Sequence, residues 1–157
     1  MSTPPPRSDA WTLTEGEGGR LSVNLRGELD EPAAQRLSQA LRDMTAAATP
    51  GAYDVVFDLN GLRRCSVEAR GVLAELQRYL GGCTRRTAYV TNRPIFRGLA
   101  LWVCHTAPDS NARTFPSLGH AKSWMNSSES RLDSIAESAD HWIGRLRGRS
   151  FSTEASQ

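Results

Sequence analysis

The apolar positions change period along the chain, and the changes mark its elements. Residues 11–15 (WTLTE) alternate apolar and polar, as a half-buried strand does. Residues 20–29 (RLSVNLRGEL) alternate again, with Leu21, Val23 and Leu25 on one face. The glycine-rich turn Glu15–Gly19 between them predicts a β-hairpin. Asp30 then reads as a helix N-cap, with Pro32 just inside it, where a missing N–H costs nothing. The spacing of Ala33, Leu37, Ala40, Leu41 and Met44 predicts a helix to about Ala47, ended by Thr49-Pro50-Gly51.

Residues 54–80 organise the rest. The run Val55-Val56-Phe57 predicts a central strand over 53–59, buried on both faces as in a sheet flanked by helices. Asp58-Leu59-Asn60-Gly61 is expected to be a tight turn and Leu62–Cys65 a basic loop. An amphipathic helix with Ala69, Val72, Leu73, Leu76 and Leu80 inward follows, ended by Gly81-Gly82. Thr87–Val90 is the next strand. Asn92-Arg93-Pro94 opens a helix that buries Ile95, Phe96, Leu99, Ala100 and Val103, and Pro108-Asp109-Ser110 breaks it. Ala112–Phe115 is the last strand. Ser117 caps a short helix through Met125 that buries Leu118, Ala121 and Trp124. The order ββαβαβαβα predicts an α/β fold: a mixed, mostly parallel sheet of about five strands, right-handed crossovers and four helices.

This domain is expected over residues 11–125. Residues 1–10, with three consecutive prolines, are expected to be a disordered tail. Residues 126–149 are expected to be an amphipathic helical extension, because Leu132, Ile135, Ala139, Trp142, Ile143 and Leu146 form one helical stripe. Residues 150–157 are polar and are expected to be a second disordered tail.

Composition narrows the class. A chain of 157 residues, 39% hydrophobic and 23% charged, is one soluble globular domain's worth. No apolar stretch approaches the ~20 residues that cross a bilayer. The start, MSTPPPRSDA, lacks the apolar core of a secretory signal, so a cytoplasmic location is expected. The net charge is only +2. Eighteen arginines and the single Lys122 are interleaved with acids, in short clusters such as Arg63-Arg64 and Arg85-Arg86. That dispersal disfavours nucleic acid as a partner. Cys65, Cys83 and Cys104 have no CxxC spacing and are expected to be reduced thiols.

The catalytic inventory is empty. Neither GxxxxGK[ST] nor GxGxxG occurs, and His105, His120 and His141 have no partner at metal-ligand spacing. No catalytic residue, cofactor or metal is expected. Cys104 and His105, about 100° apart on a helix, read as a core thiol beside a more exposed imidazole rather than a nucleophile and its base. The basic stretch leaves two readings open. Ser66 caps the next helix and Glu68 sits in its first turn, where a negative charge gains ~0.3–1 kcal/mol. On the first reading these are helix-start residues and the arginines are solvated. On the second, Arg63, Arg64, Glu68 and Arg70 form a charged patch that a partner reads. The C-terminal stripe packs on the domain, or forms a dimer or partner helix. Docking on a membrane surface ranks last, because Asp133, Glu137 and Asp140 dilute its positive face.

Three stretches carry a family resemblance: LRGELDEPAAQRLSQAL, VVFDLNGLRRCSVEARGVLAEL and FPSLGHAKSWM. They resemble the G-x-L-D strand end and first helix, the strand, D-L-S/N-G turn and second helix, and the last helix of STAS domains, the fold of anti-sigma factor antagonists. The chain is also similar to the SpoIIAA-like group that shares this fold with lipid-binding Sec14-like proteins. The resemblance implies a bacterial, non-enzymatic signalling module that binds another protein. In the antagonists the turn is followed by Asp-Ser-Ser-Gly, whose second serine a kinase phosphorylates. The matching positions here read Ser66-Val67-Glu68-Ala69, so a fixed carboxylate stands at the acceptor position and the family's phospho-serine switch is not expected. As an accidental acceptor Ser66 would sit two residues too early.

The expected partner surface comprises Asn60, Arg63, Arg64, Ser66, Glu68 and Arg70, with Arg93 and Arg97 at the neighbouring helix start. Leu132, Ile135, Ala139, Trp142, Ile143 and Leu146 are the expected self-association or partner helix. The alternative is a small-ligand or lipid sensor whose cavity Tyr89, Phe96 and Trp102 would line. An enzyme built on Cys104 comes last.

Overall fold

The computed structural model describes residues 7–106 and 111–127. Among them are strands β1 (Arg7–Ser8), β2 (Trp11–Gly16), β3 (Arg20–Leu29), β4 (Asp54–Cys65), β5 (Arg86–Val90) and β6 (Ala112–Phe115). The helices are α1 (Glu31–Ala46), α2 (Val67–Cys83), α3 (Pro94–Thr106) and α4 (Leu118–Asn126). The strands lie side by side in chain order, β1 to β6. The first two pairings are antiparallel, and those of β3–β4, β4–β5 and β5–β6 are parallel. This is the expected α/β sheet with its four helices. Apart from Asn126 and Ser127, the expected helix at 126–149, with its stripe from Leu132 to Leu146, lies outside the described residues.

Alternation along the strands divides the molecule into layers. Trp11, Leu13, Leu21, Val23, Leu25, Val55, Phe57 and Leu59 join the main core with α1, α2 and α3. Right-handed crossovers between successive parallel strands place those three helices on one face. Trp11 Nε1 donates to the carbonyl of Ala33 at 3.0 Å, which fixes α1 to the hairpin. Val56, Ala88 and Val90 point the other way and meet Ala121 and Met125 of α4. The Val55–Phe57 run is buried on both faces, as its continuous hydrophobicity predicts.

Several boundaries differ from expectation, each for a local reason. The sheet begins at Arg7–Ser8, inside the segment expected to be a tail, because this short piece turns back and pairs with Trp11 and Thr12. The expected turn and basic loop after Leu59 are strand. Between Asp58 and Arg64, β4 uses one extra residue at each of two register shifts against β3, so it bulges twice and stays paired to Cys65. Gly61 permits the first bulge: a Cβ there would lie 2.9 Å from the carbonyl oxygen of Leu25. α2 runs through Gly81-Gly82 to Cys83. It stops at Thr84, which is extended and returns both its N–H (2.8 Å) and its hydroxyl (2.6 Å) to the carbonyl of Leu80.

Two helices bury less than expected. Ile95 is 71% exposed although Phe96, Leu99, Ala100 and Val103 are buried. α3 is apolar over a wider arc than the sheet covers, and Ile95 lies on its outer side. Leu118 is 41% exposed, because α4 packs through Ala121 and Met125 rather than through its first residue.

Arginines at the start of the parallel strands hold the end of α4. Arg85 binds the buried carboxylate of Asp54 through two bonds, at 3.0 and 2.6 Å, and donates to the carbonyl of Met125 at 2.9 Å. Arg86 donates to the carbonyl of Trp124, and Arg20 to Asn126 Oδ1 at 2.9 Å. Helix C-terminal carbonyls carry partial negative charge and lack intrahelical donors, so cations brought from the sheet satisfy them. Asp54 raises the affinity of the Arg85 guanidinium for its proton through their hydrogen bonds. Replacing Arg85 with alanine leaves Asp54 buried without that partner. The expected loss is about 2 kcal/mol, read as a lower urea midpoint. Asp54→Asn, which keeps the shape and removes the charge, is expected to lose less.

Candidate functional site

The site is built where β4 ends and α2 begins. Ser66 leaves the sheet with its N–H bonded to the carbonyl of Leu29 at 3.0 Å. Its hydroxyl caps α2 by accepting the N–H of Ala69 at 3.1 Å. Val67 and Glu68 therefore fall in the first turn, facing solvent; Val67 is 77% exposed. Upstream, Asp58 Oδ1 accepts the N–H of Asn60 at 2.9 Å. Asn60 Oδ1 in turn accepts the N–H of Asn92 at 3.1 Å. That bond ties the bulge of β4 to the turn that opens α3.

The structure brings the eight expected surface residues to one edge of the sheet, but in different states. Arg63, Arg64, Glu68, Arg70 and Arg97 are exposed. Arg64 touches Glu28 at 3.8 Å, with both side chains largely in water, a contact worth little. Arg93 is committed within the chain: it donates to the carbonyl of Leu62 and lies 4.7 Å from the ring centre of Phe96. Asn60 and Ser66 brace and cap. The exposed charges are thus four arginines and one glutamate.

Between α2 and α3 runs a groove of about 460 Å³, lined by Val67, Arg70, Ile95, Gly98, Leu99 and Trp102. Sequence reading placed Arg70 on the surface and missed the groove. The signal was present. Ile95, Leu99 and Trp102 follow i, i+4, i+7 spacing, a second apolar stripe beside the one that packs on the sheet. Val67 stands outside the α2 stripe. Gly71 and Gly98 lie exposed within their helices, and a Cβ on either would meet nothing within 4 Å. Glycine there costs roughly 0.8–1 kcal/mol relative to alanine, without any demand from backbone or packing.

Tyr89, Phe96 and Trp102 differ in their surroundings. Tyr89 and Phe96 are buried, and Tyr89 stacks on Phe57 with ring centres 4.9 Å apart. Trp102 stands at the outer groove, 46% exposed. Tyr89 gives its hydroxyl proton to Gln77 Oε1, and burial raises its ionisation well above the usual phenol range. Burial also raises the thiol of Cys104, against a smaller opposing effect of Thr114. It raises that of Cys65 too, which Arg70 only partly offsets. Neither thiol is primed as a nucleophile. Among the described residues no three His, Cys, Asp or Glu side chains gather into a metal-binding group, and no helix is long and apolar enough to cross a membrane.

With this geometry the chain has the SpoIIAA-like fold, as solved structures show. It is similar to an uncharacterized protein with a SpoIIAA-like fold from Shewanella loihica, at 16% identity and a TM-score of 0.57, over 73% of this chain and 91% of that one. It is similar to an anti-sigma factor antagonist from Mycobacterium paratuberculosis, at 22% identity and a TM-score of 0.56, over 81% of this chain and all of that one. The unphosphorylated form of the anti-sigma factor antagonist SpoIIAA matches at 15% identity and a TM-score of 0.54, over 72% and 94%. No family model matches the sequence, and no curated protein does.

Two measurements check the site chemistry. At pH 8, Cys65 and Cys104 are expected to react with a disulfide reagent more slowly than free cysteine; one faster than free cysteine contradicts the assignment. Ser66→Ala is expected to lower stability by about 1 kcal/mol through loss of the cap. Ser66→Asp is expected to retain most of it, as thermal unfolding will read.

Proposed function

We propose that this protein is a STAS-type regulatory module without enzymatic activity, which binds another protein through the end of β4 and the starts of α2 and α3. Exposed arginines and Glu68 surround apolar Val67 and Ile95, which the fold leaves in water; this is the observation that carries the reading. Contiguous apolar surface rimmed by charge marks protein contacts. The SpoIIAA-like fold supports it, because the similar solved structures include anti-sigma factor antagonists.

The module works without a serine switch. Glu68, which stands at the acceptor position of the resembled motif, carries a permanent charge in the first turn of α2. Ser66 is engaged as the cap. The protein is then a partner of constant affinity, acting in the cytoplasm, and its effect follows its concentration. Residues 132–146 are a second candidate contact, for self-association or for the partner.

A photo-crosslinking residue placed in turn at positions 64, 68 and 122 in living cells tests this. Lys122 is exposed on α4, which packs on the other face of the sheet. Positions 64 and 68 are expected to give a discrete protein adduct and position 122 none. Identical adduct patterns at all three overturn the assignment.

A further inference from the structure

We infer that the α2–α3 groove receives an acidic amphipathic helical segment of the partner protein. The inference rests on the protein-binding reading above and names what the partner offers. The floor and walls are apolar: Leu99 is buried at the base, and Val67, Ile95 and Trp102 are exposed along the sides. Such a surface fits the apolar stripe of a helix. Gly98 leaves the floor open where any side chain would fill it, and a Cβ there would meet no neighbouring atom. A glycine inside an exposed helix weakens that helix. Neither the local backbone nor the packing of α3 requires it, so the space it leaves is what the position provides.

The charge around the groove selects the partner's sign. Arg70 lines it. Arg63, Arg64 and Arg97 are exposed on the same edge, against Glu68 and the Glu28 that lies 3.8 Å from Arg64, so arginines still outnumber carboxylates. An occupant with carboxylates beside its apolar stripe meets arginines on approach, while a basic one is repelled.

The test uses the isotope-labelled full chain and three synthetic helical peptides of about 18 residues, five turns long. They share one leucine stripe and differ only in whether their outer positions are Glu, Gln or Lys. The Glu peptide is expected to shift the amide signals of Val67, Ile95, Gly98 and Trp102. It is expected to bind at least about tenfold more tightly than the Lys peptide, with the advantage shrinking as salt rises. Arg70→Glu is expected to erase the preference. Gly98→Leu is expected to abolish binding, and Gly98→Ala to weaken it while raising the melting temperature, a combination a structural role alone does not produce.

Equal binding of the Glu and Lys peptides, or shifts elsewhere on the surface, overturns the inference. So does a change in the groove signals on dilution without peptide, which identifies a second copy as the occupant. A change on substituting Leu132, Ile135 and Trp142 with serine identifies the chain's own C-terminal segment and likewise overturns it. Peptide results that fail while the adducts at positions 64 and 68 persist remove this inference alone. Loss of those adducts with intact peptide preference removes the broader reading instead.

Discussion

Everything at the candidate site depends on the close approach of β4 to β3 at Gly61. A side chain there would run into the carbonyl of Leu25, and the two strands would part before the first bulge. Because they do not part, β4 runs on for twelve residues beside β3 and delivers Ser66 to the carbonyl of Leu29. That bond fixes where α2 starts. The cap at Ser66 then sets the rotation of the first turn, which puts Val67 and Glu68 in water and Ala69 in the core. From the same bulge, Asn60 reaches across to Asn92 and sets the start of α3. The groove is therefore the gap between two helices whose origins are both tied to one irregular stretch of sheet.

The opposite edge is organised by charge rather than by shape. Asp54 is nearly inaccessible to water, and it is tolerated because Arg85 binds it through two bonds. The same guanidinium reaches α4, so one arginine joins the central strand to the helix that covers the second face. Arg86 and Arg20 repeat the connection on neighbouring strands. A short helix of nine residues has little stability of its own, and this end supplies donors that its last turn lacks.

The fold was legible wherever one periodicity prevailed. The hairpin alternation, the Asp30 and Ser66 caps and the double-sided burial of Val55–Phe57 all follow from local pattern. Legibility failed where a residue type has two uses. Asp58-Leu59-Asn60-Gly61 carries turn residues, yet the same residues build a bulge, and only the partner strand decides between them. Gly81-Gly82 read as a stop, but nothing there forces a positive φ, and the helix continues to a threonine able to cap it. At the site, the charged residues were visible in sequence as a cluster. Whether each was available was not: Arg93 is spent on the carbonyl of Leu62 and the ring of Phe96, a tertiary fact. The groove was missed because α3 carries two overlapping apolar stripes: Ile95 and Leu99 of the second read as core, and Trp102 as the lining of an internal cavity.

The order of the strands has a consequence for how the molecule comes into being. In most open α/β sheets the chain begins in the middle and later strands are added on both sides. Here each of the six described strands lies beside the one made just before it. A chain emerging from the ribosome always finds its template complete and waiting at a single growing edge. No strand has to be held open for a neighbour still to be made, and assembly can proceed in the direction of translation.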